Sequence, residues 1–130
     1  METVYKLLKD DAQVVSLVAM NIFPGTIPQK NGYPAIVYSQ LSQNWLKTKD
    51  GKVADGHRFT LEIYADLNDS AGGYPKAKSV SQAAEDLLGW YRGSIDGYTY
   101  FISIEDETDA SVEEETEAFK IVQDYTLRVL

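Results

Sequence analysis

A strict alternation of polar and apolar residues between Arg58 and Ala65 limits more than any other feature what this chain can fold into. The segment reads Arg-Phe-Thr-Leu-Glu-Ile-Tyr-Ala. Because successive side chains of a β-strand point to opposite faces, the alternation places Phe59, Leu61 and Ile63 on one side. We therefore predict a strand with one buried apolar face.

Three further segments have strand character. Ala35 to Leu41 is rich in β-branched and aromatic residues and has glycine and proline only outside it. The alternating apolar residues of Tyr98 to Ile104 and of Phe119 to Leu130 predict two final strands. The residues expected on their apolar faces are Tyr98, Tyr100, Ile102 and Ile104 in the first and Phe119, Ile121, Tyr125, Leu127 and Val129 in the second.

Helical spacing of apolar residues occurs twice. Thr3 to Met20 suits one long helix or two short ones, and the proline and glycine of Asn21 to Gly25 end it. A second stripe runs from Val80 to Tyr91, with Pro75 in the first turn and Gly93 after the last. The order of elements predicts one α+β domain over residues 1–130, a mostly antiparallel sheet of four to five strands with two helices on one face.

Composition excludes several kinds of site. The 130 residues contain no cysteine, so a disulfide, a thiolate metal site and a cysteine nucleophile are excluded. The opening Met1-Glu2-Thr3 does not resemble a secretory signal, and the longest apolar stretch, Val14 to Met20, is too short to span a membrane. We expect a soluble protein with no membrane partner.

The negative charge is concentrated in one segment. Twenty acidic residues outnumber twelve basic ones, which argues against a general nucleic-acid binder. Residues 105–117 hold eight acids and no Lys or Arg, so the remaining twelve acids balance the twelve bases. We predict an acidic loop joining the last two strands, either a mobile hairpin tip or a functional surface. Its candidate residues are Asp106, Glu107, Asp109, Glu113, Glu114 and Glu115.

Catalytic or cofactor chemistry has little support. His57, the single histidine, has Asp55 nearby but no evident nucleophile or metal-binding partner. Gly72 to Ser79 approaches a phosphate-binding loop, yet Ala77 replaces a required glycine and Pro75 removes an amide donor. The acidic segment lacks the ligand spacing of a calcium loop. We predict no enzyme activity, no cofactor and no metal.

Trp45 and Leu46 are unexpected within the polar stretch Gln43 to Gly56, which reads as a long hairpin tip or a mobile loop. They either anchor a partner, as Trp often does, or fold back onto the core. With Lys47 and Lys49 they form the candidate interface.

The order and spacing of these segments resemble the tail-completion, or tail terminator, proteins of long-tailed bacteriophages and prophages. The resemblance spans nearly the whole chain. The segments that carry it are Ala12 to Val18, Asn21 to Pro24, Pro28-Gln29, Tyr33 to Tyr38, Arg58 to Ala65, Val80 to Leu88 and Asp124 to Val129. The acidic segment departs from the short final hairpin that the resemblance implies.

The resemblance implies a structural protein of the virion tail or neck, assembled in the cytoplasm of the host. Such proteins form a ring, usually of six subunits, that caps the tail tube, terminates its growth and joins the head connector or stopper. DNA would pass through the ring without specific binding, and an acidic lining would repel its phosphates. The alternative function is that of another neck or minor tail module. A small nucleotide-binding protein is the less favoured third possibility.

Overall fold

The computed structural model describes residues 2–26, 33–47, 53–66, 73–95, 97–113 and 118–129. Within these ranges, only the backbone is described at residues 2, 42–47, 53–55 and 109–113. The helices and strands are α1 (Glu2–Asp10), α2 (Ala12–Val18), β1 (Ile22–Pro24), β2 (Ala35–Lys47), β3 (Val53–Asp66), α3 (Gly73–Leu88), β4 (Trp90–Ile95), β5 (Tyr98–Glu113) and β6 (Ala118–Val129).

The α+β class is confirmed, but the predicted count of strands and helices is wrong. In the described residues, six strands form one sheet in the order β1-β2-β3-β6-β5-β4, and three helices accompany it. Neighbouring strands are antiparallel, apart from the parallel pair of β1 and β2. The sheet is therefore mixed, with β3, β6 and β5 at its centre.

The two additional strands lie at the sheet edges, where their sequence signals are weak. β1 has three residues inside a stretch rich in proline and glycine, which we interpreted only as a helix stop. For β4, the predicted helix continues to Tyr91, but α3 ends at Leu88. Tyr91 packs against the core from β4 instead, and Gly93 lies within that strand rather than ending a helix.

The N-terminal segment forms two short helices because Asp11 interrupts it. The Asp11 carboxylate accepts hydrogen bonds from the backbone amides of Gln13 and Val14, at 2.9 and 3.1 Å. This is an N-cap, which satisfies amide donors that a new helix would otherwise leave free. Because the chain breaks from one helix into the next at Asp11, both helices bury apolar residues. Leu8 of α1 and Val14 of α2 are fully buried.

The core lies between the helices and one face of the sheet. Phe59, Leu61 and Ile63 of β3 are fully buried there, as their alternation predicted. The ring of Phe59 stacks on that of Tyr125 with a centroid distance of 5.1 Å. Helix α3 covers this layer with Val80, Ala83, Ala84 and Leu88, and the strands β5 and β6 contribute Ile102, Ile121, Tyr125 and Leu127. Burying a large apolar side chain contributes about 1.5–3 kcal/mol, so this layer dominates stability.

Both polar segments are more regular than their composition indicates. β2 continues to Lys47 and β3 begins at Val53, so the hairpin alternative is correct for residues 43–47 and 53–56, and residues 48–52 lie outside the described residues. The prediction of an acidic loop is wrong for residues 105–113, because β5 continues to Glu113 and pairs there with Ala118. Backbone pairing with β6 overrides the low strand preference of Asp and Glu.

A buried polar network connects the helix layer to this hairpin. Gln123 is fully buried, and its amide nitrogen donates to the Ser81 carbonyl and to Glu107 Oε1, both at 2.9 Å. Its amide oxygen accepts a hydrogen bond from the Tyr125 hydroxyl at 2.7 Å. Burial, with the negative charges of Glu85 and Glu107, raises the pKa of Tyr125, so the phenol stays protonated and keeps donating.

We predict that Tyr125→Phe lowers the free energy of unfolding by about 1–3 kcal/mol, because the buried Gln123 oxygen loses its donor. Urea denaturation measures the change. Tyr98→Phe is the matched control, since Tyr98 is 60% exposed, and its effect should be close to zero. Equal stability of Tyr125→Phe and the parent protein would show that the network contributes nothing.

Candidate interaction surfaces

The sheet face opposite the helices carries the polar residues of the alternating strands, and we call it the open face. Arg58, Thr60 and Glu62 of β3 point to this side, because Phe59, Leu61 and Ile63 point to the core. At the start of β2 the open face has a small apolar cluster of Val37, Tyr64 and Ala118, against which Tyr33 packs.

Strand register brings two arginines of the open face to either side of an aromatic ring. Arg128 of β6 pairs with Phe101 of β5, and Phe101 pairs with Arg92 of β4. Directly paired residues of antiparallel strands have side chains on the same face. Arg128, Phe101 and Arg92 therefore form one row across three strands.

The adjacent row adds a third arginine and a tryptophan. Arg58 of β3 pairs with Thr126, which pairs with Ser103, which in turn pairs with Trp90 of β4. The Trp90 and Phe101 rings lie 6.4 Å apart between centroids. Trp90 is 76% exposed, so this large apolar side chain is in contact with solvent on the isolated chain.

These two rows define the arginine–aromatic patch, which consists of Arg58, Trp90, Arg92, Phe101 and Arg128. It contains every arginine of the sequence. All three arginines are exposed, and none forms a hydrogen bond or ion pair with any residue that the structure describes. Arg58, Phe101 and Arg128 also line a shallow depression, together with Ser103, Glu105 and Thr126.

Four of the six acidic candidates lie on β5. Asp106 is exposed on the open face opposite Asp124. Glu107 points to the helix side, where it binds Gln123 and forms an ion pair with Lys78 at 3.5 Å. Asp109 and Glu113 belong to β5, while Glu114 and Glu115 lie outside the described residues.

The candidate interface residues lie in the β2–β3 hairpin, at the C-terminal end of β2. Trp45, Leu46 and Lys47 are strand residues paired with residues 55, 54 and 53 of β3. The structure therefore places them in a hairpin that leads away from the core strands. Lys49 lies outside the described residues. Their role in binding a partner remains a prediction.

His57 has an ordinary structural environment. Its Nδ1 atom lies 3.3 Å from the side-chain nitrogen of Gln40, across the β2–β3 pair. Among the residues with described positions, no group of three or more His, Cys, Asp or Glu side chains is arranged to hold a metal ion. Within that part of the chain, the arrangement around His57 offers no assembled acid–base or metal chemistry.

The segment resembling a phosphate loop forms the start of α3. Gly73 approaches the preceding strand closely: an added Cβ would lie 2.1 Å from the Asp66 carbonyl oxygen. The strand before it, β3, is antiparallel to both neighbours, unlike the parallel strand–loop–helix unit of nucleotide-binding folds. Chain packing therefore explains Gly73, and Gly72 lies outside the described residues.

Sequence reasoning did not identify the arginine–aromatic patch. Its residues come from four strands, and no two of its arginines are close in sequence. The alternation around Arg58 and Arg128 indicates their face, but only the strand register shows that they are neighbours.

No helix in the described ranges is long and apolar enough to cross a membrane.

Solved structures share the fold. A chain from the virion of the native gene transfer agent (GTA) particle matches with a TM-score of 0.73 at 18% identity, covering 97% of this chain and 90% of its own. A second solved chain matches with a TM-score of 0.61 at 8% identity, covering 100% of this chain and 96% of its own. At these identities the likeness shows the fold alone. No curated protein matches the sequence.

The family assignment comes from the sequence itself. The family model described as Tail completion protein gp17 matches residues 2–130. This range includes all the helices and strands described above, and it confirms the resemblance noted from the sequence segments. The chain belongs to the tail completion protein gp17 family and is a structural protein of the phage tail.

Proposed function

We propose that this protein forms a ring that caps the tail tube, ends tube polymerisation and provides the surface that joins head to tail. Family membership over residues 2–130 is the observation that carries the proposal. The GTA particle chain, which is part of a virion, supports a place in an assembled particle for this fold.

The shape of the strands supports assembly. β3 pairs with β2 from Val53 onward but with β6 only from Gly56 onward. The end of β5 stays within the sheet, because Glu113 pairs with Ala118, which pairs with Asp66 at the end of β3. The β2–β3 hairpin therefore extends beyond the part of the sheet in which β6 takes part. Such extensions are suited to contacts with a neighbouring subunit or the tube.

A ring requires each subunit to present two different surfaces, because a head-to-tail contact repeated by rotation closes on itself. The β2–β3 hairpin, with Trp45, Leu46 and Lys47, is our candidate contact to the tail tube protein. The opposite side of the ring would receive the head connector or stopper protein. Six subunits is the number that the resemblance implies.

Another neck or minor tail module is the competing function, since small α+β domains with similar layering serve several roles in particles. Arrest of tube growth separates the two functions. A neck protein would bind elsewhere on the particle and leave tube length unchanged.

We predict that purified protein added to growing tail tubes stops elongation and leaves a ring at one tube end, as seen by electron microscopy. Trp45→Ala should weaken capping at least tenfold in the protein concentration needed, because Trp often dominates interface energy. Met20→Ala is the control, since Met20 is an exposed apolar residue outside the β2–β3 hairpin. Unrestricted growth at saturating protein would contradict the proposal.

A second prediction concerns the channel. If the hairpin end contributes carboxylates to the channel wall, Glu113→Gln, Glu114→Gln and Glu115→Gln together should slow DNA ejection, because less negative charge would oppose the phosphates. Ejection kinetics are measured on particles whose rings are intact by microscopy. Asp10→Asn with Asp86→Asn, two exposed helix residues, is the control. Unchanged ejection would count against an acidic channel.

A further inference from the structure

We propose that strand β4 pairs antiparallel with β4 of a second copy of this chain, with Trp90 of each copy packed against Arg92 of the other. The contact is two-fold, so it closes after two copies and does not propagate around a ring. The inference therefore goes beyond the proposed capping function and concerns the free protein. It assigns a partner to a sheet edge and a tryptophan for which the family match gives no role.

The backbone groups that β4 presents at its free edge can be identified. β4 is the last strand in the described sheet order, and its partner there is β5. The Ile104 amide donates to the Gly89 carbonyl at 3.0 Å, so Gly89 is in a hydrogen-bonded position. Hydrogen-bonded and non-bonded pairs alternate along an antiparallel ladder. The residues whose N–H and C=O groups point to the free edge are therefore Trp90, Arg92 and Ser94.

β1, the strand at the opposite end of the sheet order, is protected against such pairing. Pro24 has no N–H group, and its carbonyl accepts a hydrogen bond from the Thr26 amide at 2.8 Å. The Ile22 amide donates to the Met20 carbonyl at 2.8 Å. Prolines and locally satisfied backbone groups keep an edge strand from adding another strand. β4 contains no proline and no lysine, so its edge is open to a further strand.

The side chains on the open face of β4 are complementary to each other. Trp90 is 76% exposed, and its ring is held from one side by Phe101 of its own chain, 6.4 Å away between centroids. Arg92, two residues further on the same face, is exposed as well. A guanidinium stacks favourably on an indole ring through a cation–π interaction. Two antiparallel copies of β4 can therefore satisfy each other twice, which favours a second copy as the occupant.

Three registers bring the outward backbone groups of two β4 strands together, because paired residues must share a face. They are centred on Tyr91, Arg92 or Gly93. A centre at Arg92 opposes two guanidinium groups, and like charges directly opposite are destabilising. A centre at Gly93 pairs Trp90 with residue 96, beyond the strand. The centre at Tyr91 places each Trp90 opposite an Arg92 and covers both tryptophans, so we assign that register.

The charge near β4 permits this pairing although the whole chain is negative. Residues 90–95 contain Arg92 and no acidic residue, so the two strands bring no carboxylates opposite each other. The residue paired with Trp90 is Ser103, whose hydroxyl donates to Glu105 at 3.2 Å. A guanidinium arriving opposite Trp90 is therefore attracted by Glu105. More distant charges are screened, since the Debye length is about 8 Å at physiological ionic strength.

Sedimentation equilibrium of the free protein tests the pairing. The parent chain should dimerise, and Trp90→Ala should raise the dissociation constant about tenfold or more, because Trp often dominates interface energy. Tyr98→Ala is the matched control, since Tyr98 is a 60% exposed aromatic residue outside β4, and it should change little. A parent chain that stays monomeric up to its solubility limit, or dimers unaffected by Trp90→Ala, would overturn the proposal.

Exchange of the two complementary residues tests the register. Trp90→Arg alone places an arginine opposite Arg92 of the second copy and should weaken dimerisation. Trp90→Arg with Arg92→Trp restores both stacked pairs with their positions exchanged, so this double variant should recover most of the association. Absence of recovery in a double variant whose circular dichroism matches the parent would show that the two residues do not face each other.

A proline separates backbone pairing from side-chain contact. Arg92→Ala removes the guanidinium, whereas Arg92→Pro also removes an N–H group that points away from β5, which an edge strand tolerates. Dimerisation should be weakened by Arg92→Ala and abolished by Arg92→Pro, with urea denaturation checking that both variants are folded. Equal association of the two variants would contradict strand pairing. These measurements use free protein without tail tubes, so their outcome is independent of tube capping.

Discussion

The position of β6 between β3 and β5 is the constraint on which the rest of the structure depends. β6 pairs with β3 from Ala118 to Arg128 and with β5 from Ala118 to Val129. Its alternation sends Ile121 and Tyr125 to the core and Arg128 to the open face. A register slip of one residue would exchange these faces. The same pairing therefore fixes the core and the arrangement of the arginines.

Gln123 makes the pairing register of β6 specific. A buried amide is costly unless its donors and acceptor are satisfied, and here they engage Ser81 of α3, Glu107 of β5 and Tyr125. The three partners meet only when helix, hairpin and strand are in their native register. An apolar residue at this position would bury area without distinguishing one register from another, so the network links core packing to the direction in which the acidic hairpin extends.

The sequence predicts the parts of the fold whose signal is local. Alternation around Phe59 and the part of the helical stripe from Val80 to Leu88 each involve one element and its own buried face. β1 and β4 were missed because a three-residue strand has no period, and because Tyr91 contacts the core equally well from a helix or a strand. The arginine–aromatic patch depends on register among four strands, which no single segment encodes. Composition concealed it further, because an overall charge of -8 gives no indication of a cationic surface.

The acidic stretch from Glu105 to Thr108 raises an energetic question, because it forms a strand with little apolar surface to bury. Ordering the backbone costs about 1–2 kcal/mol per residue, and globular strands offset this mainly by burying apolar side chains. From Glu105 to Thr108 all side chains are exposed, and like charges along the strand repel each other. Backbone pairing with β6 supplies only part of the compensation, because each net hydrogen bond contributes about 1 kcal/mol. Contacts on the helix side supply more, because Glu107 accepts a hydrogen bond from Gln123 and forms an ion pair with Lys78. One of the three acids in this stretch is thereby tied to the same network that fixes the register of β6.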